Sequence, residues 1–140
     1  NLTACFLGCQ AQIPAMRTRG QGSIVLTSTF VGTHVRFPQM AAYAASKAGL
    51  IGLVRTLAAE FGPEHIRVNA LLPGGCDTAM GRQVADTPQA REHVAGLHAL
   101  RRLATPQEIA FSAVYLLSEA SSFTTGSALL ADGGISSVRG

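Results

Sequence analysis

The chain has 140 residues, 47% of them apolar and 14% charged, and a net charge of +3 at pH 7. One packed domain fits that length, and the ratio of apolar to charged residues excludes a disordered chain. Arg17, Arg19, Arg101 and Arg102 form small groups rather than a basic stripe. Nucleic acid is therefore not an expected partner, and no apolar run is long enough to predict a membrane span.

In chain order, Leu2, Phe6, Cys9, Ile13 and Met16 fall at helical spacing and predict a helix over 2–18, ended by Gly20-Gln-Gly22. Ser23–Thr27 is β-branched, apolar and bounded by glycine, which predicts a short buried strand. After a loop through Gly32 to Pro38, the positions Leu50, Leu53, Val54, Leu57, Ala58 and Phe61 define an amphipathic helix over about 40–61, stopped by Gly62-Pro63. Ile66–Leu72 reads as a second apolar strand, broken by Pro73-Gly74-Gly75. Residues 75–104 are mixed and polar, and read as a long mobile loop region with a weak helix after Thr87-Pro88. Thr105-Pro-Gln-Glu108 has the form of a capping box with proline at the first helical position. It opens a third long helix whose inner stripe is Ile109, Ala113, Leu116 and Leu117. Ser127–Ala131 is the last strand, closed by Asp132-Gly-Gly134.

Apolar strands alternating with helices predict an α/β fold, a doubly wound parallel sheet of Rossmann type. Three strands leave two open edges, and nothing here matches the glycine-rich turn that such folds use for a dinucleotide pyrophosphate. The chain opens on Asn1 rather than methionine. It is expected to be the C-terminal half of one dinucleotide-binding domain whose N-terminal half lies outside these residues.

Cys5, Cys9 and Cys76 include no Cys-x-x-Cys pair, and His34, His65, His93 and His98 are scattered, so neither a disulfide framework nor a metal site is expected. The cysteines read as small apolar residues, which suits a cytoplasmic setting. His34, between Thr29 and Tyr43, reads as a solvated loop residue, with a place facing the substrate as the alternative.

Tyr43 and Lys47 stand at i and i+4, on one face of the predicted 40–61 helix. An ammonium beside a phenol favours the phenolate and eases proton exchange with an alcohol or carbonyl. Both residues continue the stripe through Leu50 and Val54, which predicts that they point inward. Their surroundings give the pair its weight. Tyr43-Ala-Ala-Ser-Lys47 lies downstream of Gly22-Ser-Ile-Val-Leu-Thr-Ser-Thr-Phe-Val-Gly32 and upstream of Ile66-Arg-Val-Asn-Ala-Leu-Leu-Pro-Gly74, and the chain closes on Asp132-Gly-Gly134. Over almost its whole length it resembles the short-chain dehydrogenase/reductase family. That family carries a strand ending in a hydroxyl residue, then Tyr-x-x-x-Lys, then Asn-x-x-x-Pro-Gly, in this order and at similar spacing.

The resemblance implies an oxidoreductase that moves a hydride between NAD or NADP and a secondary alcohol or ketone. It implies Tyr43 as general acid/base and Lys47 as its partner, holding the nicotinamide ribose. Asn1, opening Asn-Leu-x-x-x-Phe, is similar to the family's proton-relay asparagine; an exposed residue with no such role is the other reading. Where the family has a second serine, this chain has Thr29, with Ser28 before it. Spacing to Gly32 favours Thr29, and Ser28 is the alternative. The family's nicotinamide-bordering turn falls on Pro73 and Gly74, where glycine is expected to let the backbone approach a flat ring. Thr78 falls where the family meets the carboxamide; an ordinary capping threonine is the other reading. Asn69 is expected to be a structural hydrogen-bonder, and Cys76 to do no more than line the site. Residues 75–104, with Met80, Val84, Val94, Leu97 and Leu100, are expected to close over an apolar or amphipathic substrate, for which a 3-oxoacyl thioester is one case. The helices at 2–18 and 40–61 resemble those that the family pairs in homodimers and homotetramers. A catalytically silent dinucleotide-binding or sensing protein is the alternative function, motivated by Thr29.

Overall fold

A computed structural model describes residues 1–138. Helix α1 (Leu2–Arg19) leads into strand β1 (Gly22–Thr27), then α2 (Ala41–Phe61), β2 (Ile66–Pro73), α3 (Ala79–Val84), α4 (Pro88–Gly96), α5 (Pro106–Leu117), β3 (Ala128–Ala131) and the single turn α6 (Ile135–Val138). The three strands form one parallel sheet in the order β1-β2-β3. Thr27 pairs with Leu71, and Pro73 with Ala131, so the C-terminal ends of all three strands lie at one end of the sheet.

Helix ends follow local chemistry. Gly20 closes α1 in the left-handed region at φ 73°, its N–H donating to the Arg17 carbonyl. Gly62 does not break α2 in this way: it stays right-handed, a 3-10 turn over Gly62–Glu64 follows, and His65 takes the left-handed position at φ 60°. At α5 the capping box is complete. The Thr105 side chain accepts from the Glu108 N–H, and the Glu108 carboxylate accepts from the Thr105 N–H.

The core lies between the sheet and the pair α1/α2. Leu50, Val54, Leu57 and Ala58 of α2 pack with Cys9 and Ile13 of α1 on Ile24, Leu26, Ile66, Val68, Ala70 and Leu72 of the sheet. Strand β2 is covered on both faces, as a central parallel strand must be. Within it, Asn69 is fully buried and structural: its amide donates to the Thr124 carbonyl, and its Oδ1 accepts from the Ser127 N–H.

Three expectations change. The segment 75–104 holds not only the helix expected after Thr87-Pro88, which is α4, but a second one, α3, and each begins with a threonine cap, Thr78 and Thr87. Short capped helices with few apolar residues carry almost no periodic signal. The inner stripe of α1 runs through Cys5, Cys9 and Ile13, whereas Leu2 and Phe6 are exposed. On α5, Leu116 is buried but Leu117, one residue around the helix, is half exposed.

Candidate active site

The end of β1 and the first turns of α2 clasp each other. The Lys47 ammonium donates to the Thr27 carbonyl at 2.7 Å, and the Ser28 hydroxyl donates to the Lys47 carbonyl at 2.8 Å. One clasp thus fixes both the lysine and the strand end that faces it. Ser28 and Thr29 are both buried, but their hydroxyls are committed differently. Ser28 gives its proton to the helix. Thr29 Oγ1 accepts from the Val31 N–H at 3.3 Å, leaving its own proton for another acceptor.

The chain then turns back onto α2 at Gly32, whose φ is +85°. A side chain there would place its Cβ 2.8 Å from the Ala44 Cβ, so glycine is required for this approach beside Tyr43. Ala44 packs instead against a small apolar cluster of Phe30, Val31, Val35 and Ile135. The first turn of α2 therefore rests on the loop after β1 rather than on the sheet. This explains a correction: Tyr43 shares a stripe with Leu50 and Val54 but is 37% exposed, because the sheet does not extend beneath it. Lys47, one turn deeper, is half-buried. No direct hydrogen bond joins the Thr29 hydroxyl, the Tyr43 phenol and the Lys47 ammonium among the described residues; the fold brings them to one strand end.

Asn1 is tied to the same helix. Its side-chain amide donates to Ser46 Oγ at 3.1 Å, and that hydroxyl donates to the Tyr43 carbonyl at 2.8 Å. Ser46 was not singled out from the sequence, although its place between Tyr43 and Lys47 was a usable signal.

The turn after β2 sits beside the end of β3. The Gly74 N–H donates to the Ala131 carbonyl at 3.0 Å. A Cβ on Gly74 would lie 2.6 Å from the Asp132 Cα and 2.7 Å from its carbonyl oxygen. The protein's own backbone already demands glycine at 74. Asp132 is buried and accepts from the N–H groups of Gly134 and Ser136 and from the Ser136 hydroxyl. Burial pushes its carboxyl up, but these donors outweigh that and hold it below the usual aspartate range. Thr78 caps α3, accepting from the Gly81 N–H at 3.0 Å, and keeps its hydroxyl proton. Cys76 is half-buried; burial, then the nearby Asp77 and Glu108 carboxylates, push its thiol up, so it is a poor nucleophile. His34 is exposed and touches the Thr33 hydroxyl at 2.9 Å. Among the described residues no group of histidine, cysteine, aspartate and glutamate could hold a metal ion, and no helix is long and apolar enough to cross a membrane. A surface recess of about 1170 Å³ is lined by Arg19, Gln21, His65 and Phe123 and includes the first residues of β1 and β2, at the end of the sheet away from this chemistry.

A family model described as enoyl-(acyl carrier protein) reductase matches residues 1–136. A 2,5-dichloro-2,5-cyclohexadiene-1,4-diol dehydrogenase of Sphingobium indicum is 42% identical over 140 residues, covering 99% of this chain and 56% of that protein. A solved structure described as a short chain dehydrogenase/reductase family protein is 38% identical with a TM-score of 0.88, covering 98% of this chain and 55% of the other. A gluconate 5-dehydrogenase from Burkholderia cenocepacia, solved in complex with NADP and tartrate, is 29% identical with a TM-score of 0.85, covering 92% of this chain and 50% of the other. The chain spans about half the length of the curated relatives it matches. A match over nearly every residue, a shared parallel-sheet fold and the motifs clustered at the strand ends agree: the chain belongs to the short-chain dehydrogenase/reductase family.

Proposed function

We propose that this chain carries the proton-transfer part of an oxidoreductase that interconverts a secondary alcohol and a ketone with NAD or NADP. The observation that supports this best is the clasp between Lys47, Thr27 and Ser28, which leaves the Thr29 hydroxyl with a proton to give beside the turn bearing Tyr43. The donor set suits the nicotinamide riboside end of a dinucleotide. Lys47 spends one of its three N–H groups on Thr27, leaving two for vicinal ribose hydroxyls. The Thr78 hydroxyl, past its capping bond, suits a carboxamide, with Pro73 and Gly74 forming the adjoining wall. When bound, the cofactor supplies or accepts the hydride.

The chain's own residues handle the oxygen and its proton. Thr29 holds the substrate oxygen through its hydroxyl, and Ser28 holds the helix. Tyr43 gives its phenolic proton to the forming alkoxide, or takes it back in the oxidative direction. The Lys47 ammonium stabilises the phenolate that remains. Asn1, tethered through Ser46, stands at the N-terminal mouth of this arrangement, where a water-linked proton path to solvent would run.

The substrate is bounded by 75–104, where Met80 and Leu100 are exposed and Leu97 is half-buried. These side chains suit an apolar or amphipathic ketone, a 3-oxoacyl thioester among them. The pyrophosphate end of the cofactor falls to residues outside this chain. Self-association is part of the same proposal, through the outer faces of α1 and α2, where Phe6 and Leu7 are exposed.

The test follows NADH and NADPH oxidation by the full-length protein with a panel of ketones and 3-oxoacyl thioesters. Tyr43→Phe is expected to lower kcat by roughly 10²–10⁴-fold while cofactor binding persists. Turnover unaffected by the substitution would remove Tyr43 from its role. Cofactor binding without turnover of any ketone would favour the silent, sensing reading.

A further inference from the structure

The side chain that ties the substrate-side segment to the turn after β2 is His98, which lies just past α4 and is 2% exposed. Both of its ring nitrogens meet backbone groups. The Gly75 N–H donates to Nε2 at 3.0 Å, so Nε2 must present a lone pair. The Val94 carbonyl lies 2.9 Å from Nδ1 and can only accept, so Nδ1 carries the hydrogen. One tautomer of the neutral ring satisfies both contacts. The imidazolium would set a second N–H against the Gly75 donor, and the opposite tautomer would spoil both bonds.

The ring is wedged between two glycines that follow two different strands. A Cβ on Gly75 would fall 2.9 Å from His98 Cε1, and one on Gly133 would fall 3.3 Å from His98 Cδ2. The backbone around the ring completes the junction. The Leu100 N–H donates to the Gly133 carbonyl at 3.1 Å, and the Ala104 N–H donates to the Gly75 carbonyl at 2.9 Å. Arg101 takes the left-handed conformation at φ 54°, so the chain accepts a strained residue to make this corner.

We infer that His98 is a positioning residue that sets the placement of the Pro73–Thr78 turn and couples it to the helical segment α3–α4 that bounds the substrate. The inference rests on the functional reading above for what the turn holds, but not for the bond itself. The ring touches neither substrate nor cofactor in this assignment; it acts through Gly75, two residues from Pro73 and three from Thr78. Removing the acceptor leaves the half-buried Gly75 N–H without its partner, and a small shift of the turn moves the groups that would meet the nicotinamide.

Full-length protein with His98→Leu and His98→Gln tests this. Gln can present a carbonyl oxygen near the place of Nε2, whereas Leu fills the volume without an acceptor. The leucine variant is expected to lose roughly tenfold to hundredfold in kcat/KM, with a raised cofactor KM, and the glutamine variant to recover most of it. Amide hydrogen exchange of the peptide containing Gly75 gives a readout that needs no turnover: protection is expected in wild type and His98→Gln, and its loss in His98→Leu. A leucine variant that melts lower but keeps its cofactor KM and its Gly75 protection would overturn the inference. If the leucine variant does not fold, nitrogen-15 NMR of the His98 ring in the wild type decides: hydrogen on Nδ1 is expected, and hydrogen on Nε2 or on both nitrogens at pH 7 would overturn it. Absence of turnover with every ketone, alongside the expected exchange pattern, would fault the functional reading while leaving the junction in place.

Discussion

Thr29 and Ser28 are neighbours of the same chemical type, and the sequence could order them only by counting back from Gly32. The bonds each one makes give a physical basis for the choice. Ser28 spends its proton on the Lys47 carbonyl, whereas Thr29 keeps its own. Ser28→Ala should therefore cost about 1 kcal/mol of stability, the usual value of one internal hydrogen bond, with kcat changed only a few-fold. Thr29→Val, which keeps the shape and removes the donor, should lower kcat by roughly 10²–10³-fold. Thermal melts and steady-state kinetics of both variants check this, and the reverse pattern would move the substrate-binding role to Ser28. Tyr43, Lys47 and Pro73-Gly74 could be singled out as candidates because their types and spacing suit the proposed chemistry. Ser46 and His98 were not, because a lone serine or histidine gains meaning only from the backbone groups that tertiary structure brings to it.

Among the elements, the long helices and the strands could be read almost to the residue, since each holds an uninterrupted apolar pattern and a chemical stop such as Gly20. Helix α3 could not, because it is short and rests on a threonine cap more than on a buried stripe, and α4 was legible only as a weak helix after Thr87-Pro88. The start of α5 was readable for the opposite reason: a cap with a fixed spacing is itself a sequence signal. That cap also carries a charge. Hydrogen bonds from Arg102, then from the Thr105 N–H, lower the Glu108 carboxyl to about 2 from an ordinary 4.5. A carboxyl with a depressed folded-state pKa contributes stability that is fully present above the ordinary value and fades as pH falls from there through about 2. Glu108→Gln should accordingly melt below wild type at pH 7, with the gap closing through that acid window. Melting curves of the two proteins against pH measure it, and a constant gap would place the effect in packing rather than charge. Both partners are at the surface, so the effect should be small and should weaken with salt.

For the whole molecule, the sheet shows what the chain can and cannot do alone. Strand β1 pairs with β2 on one side and with no other strand among the described residues. A parallel strand open at its edge calls for a further strand. The groups suited to a nicotinamide riboside lie within the chain, while no glycine-rich pyrophosphate turn does. The 140-residue chain on its own should therefore bind NADH or NADPH far more weakly than the full-length protein, a difference that calorimetry measures directly; equal affinities would mean that the phosphates are held by residues described above. Its outer surfaces are also unevenly apolar. Phe111, Val114 and Leu117 are exposed on α5, a larger display than Phe6 and Leu7 on α1, and either face is suited to a second subunit. The contact between Gly74 and Asp132 bears on how the site is born. A chain leaving the ribosome presents Tyr43 and Lys47 early, on a helix that can wind at once. The wall against which the Gly74 turn must be moulded, at Asp132, is translated well after them. A message cut short before β3 would yield a chain with Tyr43 and Lys47 in place and the Gly74 turn unmoulded, so on the proposed reading the site is completed only once β3 and the residues after it have been made.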